Sequence, residues 1–214
     1  MDTEQDGFLP DPPHHEILTP RLRLRTARVT DAPSILPVIS QHEVMRWASM
    51  PPVNSLYQAE LWLNNRVLGP DVFNFAVEIR STSEFIGMIG CFHPPSIGYI
   101  TSPAHTGRGY TTEALEALIP ALFERLPSAG ESGAGFDYLE ATTDPENWGS
   151  RRVLEKAGFR RCGVLENAVE HWLSGLRDTV VYRVARPGKT LEGLGLIDDG
   201  VDDVVDPAAL PPIQ

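Results

Sequence analysis

The stretch SPAHTGRGYTTEALEAL, residues 102–118, decides the fold of this chain. It follows the run SIGYIT, which predicts a strand over 96–101, and it opens a run with helical spacing that continues to about residue 126. Gly107 and Gly109 lie where the strand gives way to the helix. A glycine has no Cβ, so it adopts turn dihedrals and lets backbone N–H groups at a helix start approach a phosphate. The pattern therefore predicts either a phosphate-binding loop or a plain turn that needs glycine for its dihedrals.

Two common phosphate motifs do not match this stretch. It lacks the spacing and the trailing lysine of a P-loop, and it lacks the third glycine of a dinucleotide fingerprint. A phosphate loop of another kind and a structural turn both remain open on the glycines alone.

Length and composition indicate one globular domain. The chain has 214 residues, of which 42% are hydrophobic, and no apolar run approaches the ~20 residues that span a bilayer. The N-terminus has neither the basic and apolar regions of a secretory signal nor the arginines of a transit peptide. Its two cysteines, Cys91 and Cys162, do not have the spacing of a metal site. We therefore expect a cytoplasmic protein with reduced cysteines, no bound metal and no membrane association.

The formal net charge of −11 resides at the two ends of the chain. Residues 1–16 and residues 188–214 each carry −5, which leaves −1 for residues 17–187. We interpret 1–16 as an acidic, proline-containing arm, 17–187 as the folded domain, and 188–214 as an acidic tail that either docks on the domain or is disordered. The nearly neutral domain predicts no nucleic-acid partner, because such partners require a basic surface.

Strand-like and helix-like runs alternate between the two ends and predict a mixed α/β domain. Strands are predicted over 21–27, 73–80, 84–92, 96–101 and 136–143, helices over 30–40, 55–69, 110–126 and 147–158, and a closing antiparallel pair ends near residue 186. Pro120 should kink or split the third of these helices, because it has no N–H for the carbonyl of Glu116.

A second stretch, ATTDPENWGSRRVLEKAGF at 141–159, favours the phosphate-binding loop over the plain structural turn. It contains Asn147 and Ser150 at the start of a short amphipathic helix and ends in Lys156, Gly158 and Phe159. Together with Gly98-Tyr99, the glycine loop, Tyr110 and Glu113-Ala114, it resembles the GNAT superfamily of acetyl-CoA-dependent N-acetyltransferases, in particular its RimJ/RimL-like branch. The resemblance covers about 17–186. It departs from the family pattern at the head of the loop, where Ala104 replaces the usual Gln or Arg.

The resemblance implies a fold and a co-substrate site. The fold would be a mixed, mostly antiparallel sheet of about seven strands, flanked by about four helices and splayed between two parallel central strands. Acetyl-CoA would place its pantetheine in that opening and its diphosphate on the glycine loop. The residues implied to contact it are Tyr99, Ile100, Thr101, His105, Thr106, Gly107, Arg108, Gly109, Tyr110, Asn147 and Ser150.

The resemblance also implies two catalytic residues. Glu140, on the strand 136–143, would take the proton of the attacking amine, and Ser150 would donate a hydrogen bond or proton to the departing thiolate. The alternatives are a surface glutamate at a strand edge and a serine that caps a helix. Asn147 would bind pantetheine or cap the helix, and both are compatible.

The implied reaction is acetyl transfer by direct attack of a primary amine on the thioester. The acceptor would be a protein N-terminus or a small-molecule amine, and His171 near the closing hairpin is a candidate acceptor contact. The alternative is a CoA-binding or interaction protein that has lost turnover, which Ala104 would favour. The closing strands leave both a monomer and a homodimer open.

Overall fold

The computed structural model describes residues 14–66, 73–130 and 135–197. The strands are β1 (Glu16–Leu18), β2 (Leu22–Thr26), β3 (Phe73–Ile79), β4 (Phe85–His93), β5 (Ser96–Thr101), β6 (Tyr138–Thr143), β7 (Arg160–His171) and β8 (Gly175–Ala185). The helices are α1 (Ala32–Ile39), α2 (His42–Met45), α3 (Leu56–Arg66), α4 (Tyr110–Arg125) and α5 (Trp148–Lys156).

All eight strands form one sheet in the order β1-β2-β3-β4-β5-β6-β8-β7. Every neighbouring pair is antiparallel except β5 and β6, which are parallel. The predicted mixed, mostly antiparallel sheet with one parallel pair is therefore confirmed. The described residues contain one strand and one helix more than the estimate, because β1 and α2 are too short to leave a periodic signal.

Helices cover both faces of the sheet. On one face, α4 and α5 bury Leu115, Leu118 and Leu154 against strand residues such as Leu22 and Leu139. On the other face, a second apolar cluster joins α1, α2 and α3 to β4 through Ile35, Ile39, Met45, Leu63 and Met88. This three-layer arrangement places the ends of β5 and β6 between the two helical layers.

The strand β2 shows how alternation produces this packing. Leu22 and Leu24 are fully buried, whereas Arg25 turns to the other face and pairs with Asp31 and Glu78. The Nη2–Oδ1 and Nε–Oε1 distances of these pairs are both 2.7 Å. Period two thus separates an apolar face from a charged one, as the RLRLR pattern predicts.

The two predicted end segments lie only partly within the described residues. Of the arm at 1–16, residues 14–16 are described, and Glu16 begins β1 and pairs with Arg23. Of the tail at 188–214, residues 188–197 are described, and Leu191 and Ile197 are buried there. The domain boundaries remain predictions.

Candidate active site

The glycine loop has the geometry of an open helix N-terminus. Gly107 and Gly109 have φ values of +72° and +75°, which only glycine adopts without strain, and Gly109 is the N-cap of α4. A Cβ added at Gly107 would meet no protein atom within 4 Å, so the space above the loop is free. The first N–H groups of α4 have no intrahelical acceptor, and a diphosphate suits both their direction and the helix dipole.

Side chains of the loop differ in where they point. Thr106 and Arg108 are exposed, and the Thr106 hydroxyl donates to the carbonyl of Pro103 at 2.9 Å. His105 is buried, and its Nε2 lies 3.4 Å from a carboxylate oxygen of Glu84 in the β3–β4 turn. The imidazole of His105 therefore faces the interior of the domain, and only its backbone belongs to the open side of the loop.

The parallel strands β5 and β6 separate immediately after they meet. Ser96 and Glu140 are their one register pair among the described residues, and the Glu140 N–H donates to the carbonyl of Pro95 at 3.0 Å. Beyond this point the β6-facing edge of residues 97–101 has no strand partner in the described chain. Such an edge can accept an extended ligand as an additional strand.

A cavity of about 630 Å³ occupies this opening. Gly98, Tyr99 and Ile100 of β5 line it on one side, and Thr142 and Thr143 of β6 line it on the other. The remaining lining comes from the α2–α3 region, from β3 and β4, and from the β7–β8 hairpin. The fold therefore places one continuous space between the splayed strands and the closing hairpin.

Ser150 and Tyr99 meet at the edge of this cavity. Their hydroxyl oxygens are 2.8 Å apart, and the Tyr99 hydroxyl also lies 3.2 Å from the carbonyl of Ser150. Asn147 caps α5, because its Oδ1 accepts the Ser150 N–H at 3.1 Å. Burial raises the pKa of Tyr99, although its hydrogen bond with Ser150 opposes the shift. Tyr99 is therefore a protonated phenol at neutral pH.

Glu140 lies apart from the Ser150–Tyr99 pair. Its Oε2 is 2.8 Å from both Nε and Nη2 of Arg183 on β8. Glu140 is not among the residues that line the cavity, whereas Thr142, two positions along the same face of β6, is. The structure thus brings Ser150, Asn147 and Tyr99 together, whereas Glu140 lies outside the cavity, two residues or about 7 Å along β6 from Thr142.

The charged groups of the cavity are mostly neutralised by one another. Arg177 donates two hydrogen bonds to the Asp144 carboxylate, from Nε at 2.9 Å and from Nη2 at 3.0 Å. Its Nη2 also donates to Glu146 at 2.8 Å. Burial alone would raise the pKa of Asp144, but the hydrogen bonds and charge of Arg177 outweigh it and lower that pKa. His171, the predicted acceptor contact, is buried and lines the cavity; its contact with an acceptor stays a prediction.

Comparison with known proteins identifies the family. Residues 21–160 match the protein family described as Acetyltransferase (GNAT) domain. The chain is a member of the GNAT acetyltransferase family. It is 30% identical over 185 residues to the Bacillus subtilis (strain 168) N-acetyltransferase YoaA, a match that covers 79% of this chain and 96% of that protein.

Solved structures share the GNAT fold. A GNAT-family acetyltransferase from Bacillus anthracis superposes with a TM-score of 0.66 at 23% identity, over 80% of this chain and 98% of that one. The ribosomal L7/L12 α-N-protein acetyltransferase RimL, solved in complex with coenzyme A, superposes with a TM-score of 0.67 at 16% identity, over 82% and 100% of the two chains. These likenesses confirm the predicted fold, and RimL-like enzymes are among the structural neighbours.

Membership in the GNAT family makes this chain an acetyltransferase.

No helix within 14–66, 73–130 or 135–197 is long and apolar enough to cross a membrane. In the same described part of the chain, no three His, Cys, Asp or Glu side chains cluster closely enough to hold a metal ion.

Two parts of the site were not apparent in the sequence. Alternation predicts Arg21 within the first strand, on the same side as Arg23 and Arg25, but Arg21 precedes β2 and contacts both Glu113 of α4 and the carbonyl of Arg108 in the loop. The ion pair between Asp144 and Arg177 joins residues 33 positions apart. Neither pair has a local signal, because each depends on how the sheet aligns distant segments.

Proposed function

We propose that this protein transfers the acetyl group of acetyl-CoA to the nitrogen of a primary amine. The observation that carries the proposal is that the open glycine loop follows the free edge of β5 along the chain, and that Gly98, Tyr99 and Ile100 of this strand line the cavity of about 630 Å³. This order of features fits the diphosphate, the pantetheine and the thioester of one extended donor. The complex of RimL with coenzyme A supports the choice of donor for a chain with this fold.

The chain's own residues would act in a defined order from the loop to the cavity. The backbone N–H groups around Gly107, Gly109 and Tyr110 bind the diphosphate, while Thr106 and Arg108 flank it on the exposed side. The backbone of Tyr99, Ile100 and Thr101 hydrogen-bonds the pantetheine. Acetyl-CoA supplies an acetyl group activated as a thioester.

Ser150 and Glu140 would handle the protons. Ser150, held by Asn147 and Tyr99, donates a hydrogen bond to the thiol sulfur as it leaves. Glu140 takes the amine proton through a water molecule, because its side chain shares a face of β6 with Thr142 at the cavity but does not itself line the cavity. Asp178, an exposed carboxylate in the cavity wall, is the alternative base.

A substitution in the glycine loop tests the donor site. In Gly107→Val, we expect the affinity for acetyl-CoA measured by titration calorimetry to fall strongly, because the side chain enters the free space above the loop. Gly188→Val is the matched control, since Gly188 also has a positive φ of +85° and open space around its Cα. A folded Gly107→Val protein with the wild-type dissociation constant would reject this placement of the diphosphate.

A further inference from the structure

The cavity beyond Ser150 has an apolar wall. Large apolar side chains from three segments line it: Met45, Trp47 and Met50 from α2 and the following turn, Trp62 from α3, and Met88 and Phe92 from β4. Trp172, in the turn between β7 and β8, connects the hairpin to this wall, since its Nε1 donates to the carbonyl of Met45 at 3.0 Å. Aromatic and thioether surfaces of this kind bind apolar groups.

The polar part of the cavity provides little net charge. Of the charged residues that line the cavity, Asp144 and Asp178 are acidic and Arg177 is basic, so together they carry a charge of −1. Arg177 pairs with Asp144 and also with Glu146, which is exposed and does not line the cavity. Asp178 accepts the Asn167 N–H at 2.9 Å, and no Lys or Arg of the described chain pairs with it. One exposed carboxylate without a cationic partner suits one ammonium group rather than several.

We infer that the acceptor is an amine with a single positive charge and a large apolar group within a few bonds of its nitrogen. This inference rests on the proposed acetyl transfer and specifies its substrate class. A polyamine would bring further charges to a cavity with one unpaired carboxylate, and the hydroxyl groups of an amino sugar would lose water against Trp47, Trp62 and Met50. Both classes are therefore disfavoured, whether the apolar amine is a free molecule or the first residue of a peptide.

An acceptor panel tests the inference with the full chain and acetyl-CoA. The panel contains phenethylamine, ethylamine, spermidine, glucosamine, and two short peptides that begin with Phe or with Gly. We expect kcat/KM for phenethylamine, for the Phe peptide or for both to exceed that of each polar or small acceptor by about tenfold or more. The two apolar arms show whether the source is a free amine or a peptide.

Two tryptophan variants locate the selectivity in the cavity wall. Trp62→Ala and Trp47→Ala should lower the ratio of kcat/KM for the preferred apolar acceptor over its small partner, while Tyr57→Ala should leave it unchanged. Tyr57 lies on the same helix as Trp62 but is 64% exposed and does not line the cavity. A preference for spermidine or glucosamine would overturn the substrate class and leave acetyl transfer intact. Binding of acetyl-CoA without transfer to any amine would overturn both.

A second, independent observation concerns Arg21, which directly precedes β2. Its Nε lies 2.6 Å from Oε2 of Glu113, its Nη1 donates to the carbonyl of Arg108 at 3.0 Å, and its guanidinium lies 4.6 Å from the ring centre of Tyr110. Thr19 also donates to Glu113, at 2.5 Å. These contacts attach the start of β2 to the glycine loop and to the first turn of α4.

We propose that Arg21 is a positioning residue for the diphosphate site. In a trans peptide the C=O and N–H groups point in opposite directions. Because Arg21 hydrogen-bonds the Arg108 carbonyl, the N–H of Gly109 in the same peptide points away from Arg21 and toward the open side of the loop. The same guanidinium compensates the charge of Glu113, which would otherwise repel a diphosphate at the start of α4. Arg21 thereby provides support to a loop in which Ala104 has no polar side chain.

Donors with and without the diphosphate test this role. In Arg21→Gln, we expect the dissociation constant of CoA to rise by about tenfold and kcat/KM with acetyl-CoA to fall similarly, while kcat/KM with S-acetylpantetheine stays at the wild-type value. Arg23→Gln is the control, because Arg23 is the next outward arginine on β2 and pairs with Glu16 and Glu78 instead. Wild-type CoA affinity in Arg21→Gln, or equal losses with both donors, would overturn the proposal.

Discussion

At the scale of single residues, the contact between Tyr99 and Ser150 bears most directly on chemistry. A serine hydroxyl is a weak acid, so a neighbour that orients it matters more than its own pKa. The Tyr99 phenol is 2.8 Å from the Ser150 hydroxyl. A phenol is protonated at neutral pH, and burial raises the pKa of Tyr99 further. In the proposed mechanism, Tyr99 donates a hydrogen bond to Ser150, and Ser150 donates one to the leaving sulfur.

This arrangement predicts coupled effects of two substitutions. Tyr99→Phe and Ser150→Ala should each lower kcat by about tenfold with little change in the KM for acetyl-CoA. The double variant should be no slower than the slower single variant, because both changes disrupt one interaction. Steady-state kinetics on the four proteins measures the coupling, and strictly multiplicative losses would show that the two residues act separately.

The role of Glu140 is a second question at this scale. We expect Glu140→Gln to lower kcat by about a hundredfold and to change KM less, since a general base contributes to the transition state. Asp178→Asn is the companion variant, and kcat is measured for both across pH 6 to 10. Wild-type turnover of Glu140→Gln at every pH would exclude Glu140 as the base, and a loss of turnover in Asp178→Asn would then support Asp178.

At the scale of elements, α4 and α5 show how local rules and tertiary context combine. Pro120 was predicted to kink or split α4. It does not split the helix, because α4 continues from Tyr110 to Arg125. Pro120 and Glu116 are both exposed, so the carbonyl that loses its N–H partner can bind water instead. The proline is therefore tolerated ten residues beyond the glycine loop.

The cap of α5 makes a prediction about stability. Asn147→Ala should lower the free energy of unfolding by about 1 kcal/mol, because the Ser150 N–H loses its acceptor, whereas Asn147→Ser should retain most of it. Urea unfolding of the three proteins checks this difference. A raised KM for acetyl-CoA in Asn147→Ser, despite wild-type stability, would show that Asn147 also binds pantetheine.

At the scale of the whole molecule, the segment 188–197 forms part of the packed domain. Leu191 and Ile197 are 3% and 8% exposed, Glu192 pairs with Arg160, and the Leu196 carbonyl accepts Nη1 of Arg183 at 3.1 Å. Arg183 is the residue that also holds Glu140. The segment thus supports the face of β6 and β8 next to the proposed base.

Truncation of one buried side chain tests that contribution. Leu191→Ala should lower the free energy of unfolding by about 2 kcal/mol or more, the usual cost of such a cavity in a core. Leu176→Ala, at a position that is 62% exposed, should have little effect. Thermal or urea unfolding distinguishes the two variants. Equal stability of both would show that residues 188–197 do not contribute to the stability of the domain.

Much of the fold could be predicted from local patterns. The alternation in RLRLR placed Leu22 and Leu24 in the core, and the run SIGYIT gave the bounds of β5 to the residue. The glycines at 107 and 109 predicted turn dihedrals before α4, and their positive φ values confirm this prediction. Such signals survive in a sequence because they depend on neighbours two to four positions away.

The glycine loop, the family and all strands and helices except the short β1 and α2 could be predicted from the sequence alone. Only the tertiary structure decided which partners meet: Arg21 with Glu113, 92 positions apart, and Tyr99 with Ser150, 51 positions apart. It also decided that the imidazole of His105 faces inward and that an apolar wall borders the cavity. The physical reason is that local periodicity specifies which face of an element is buried, whereas the pairing of faces depends on how the sheet and helices pack.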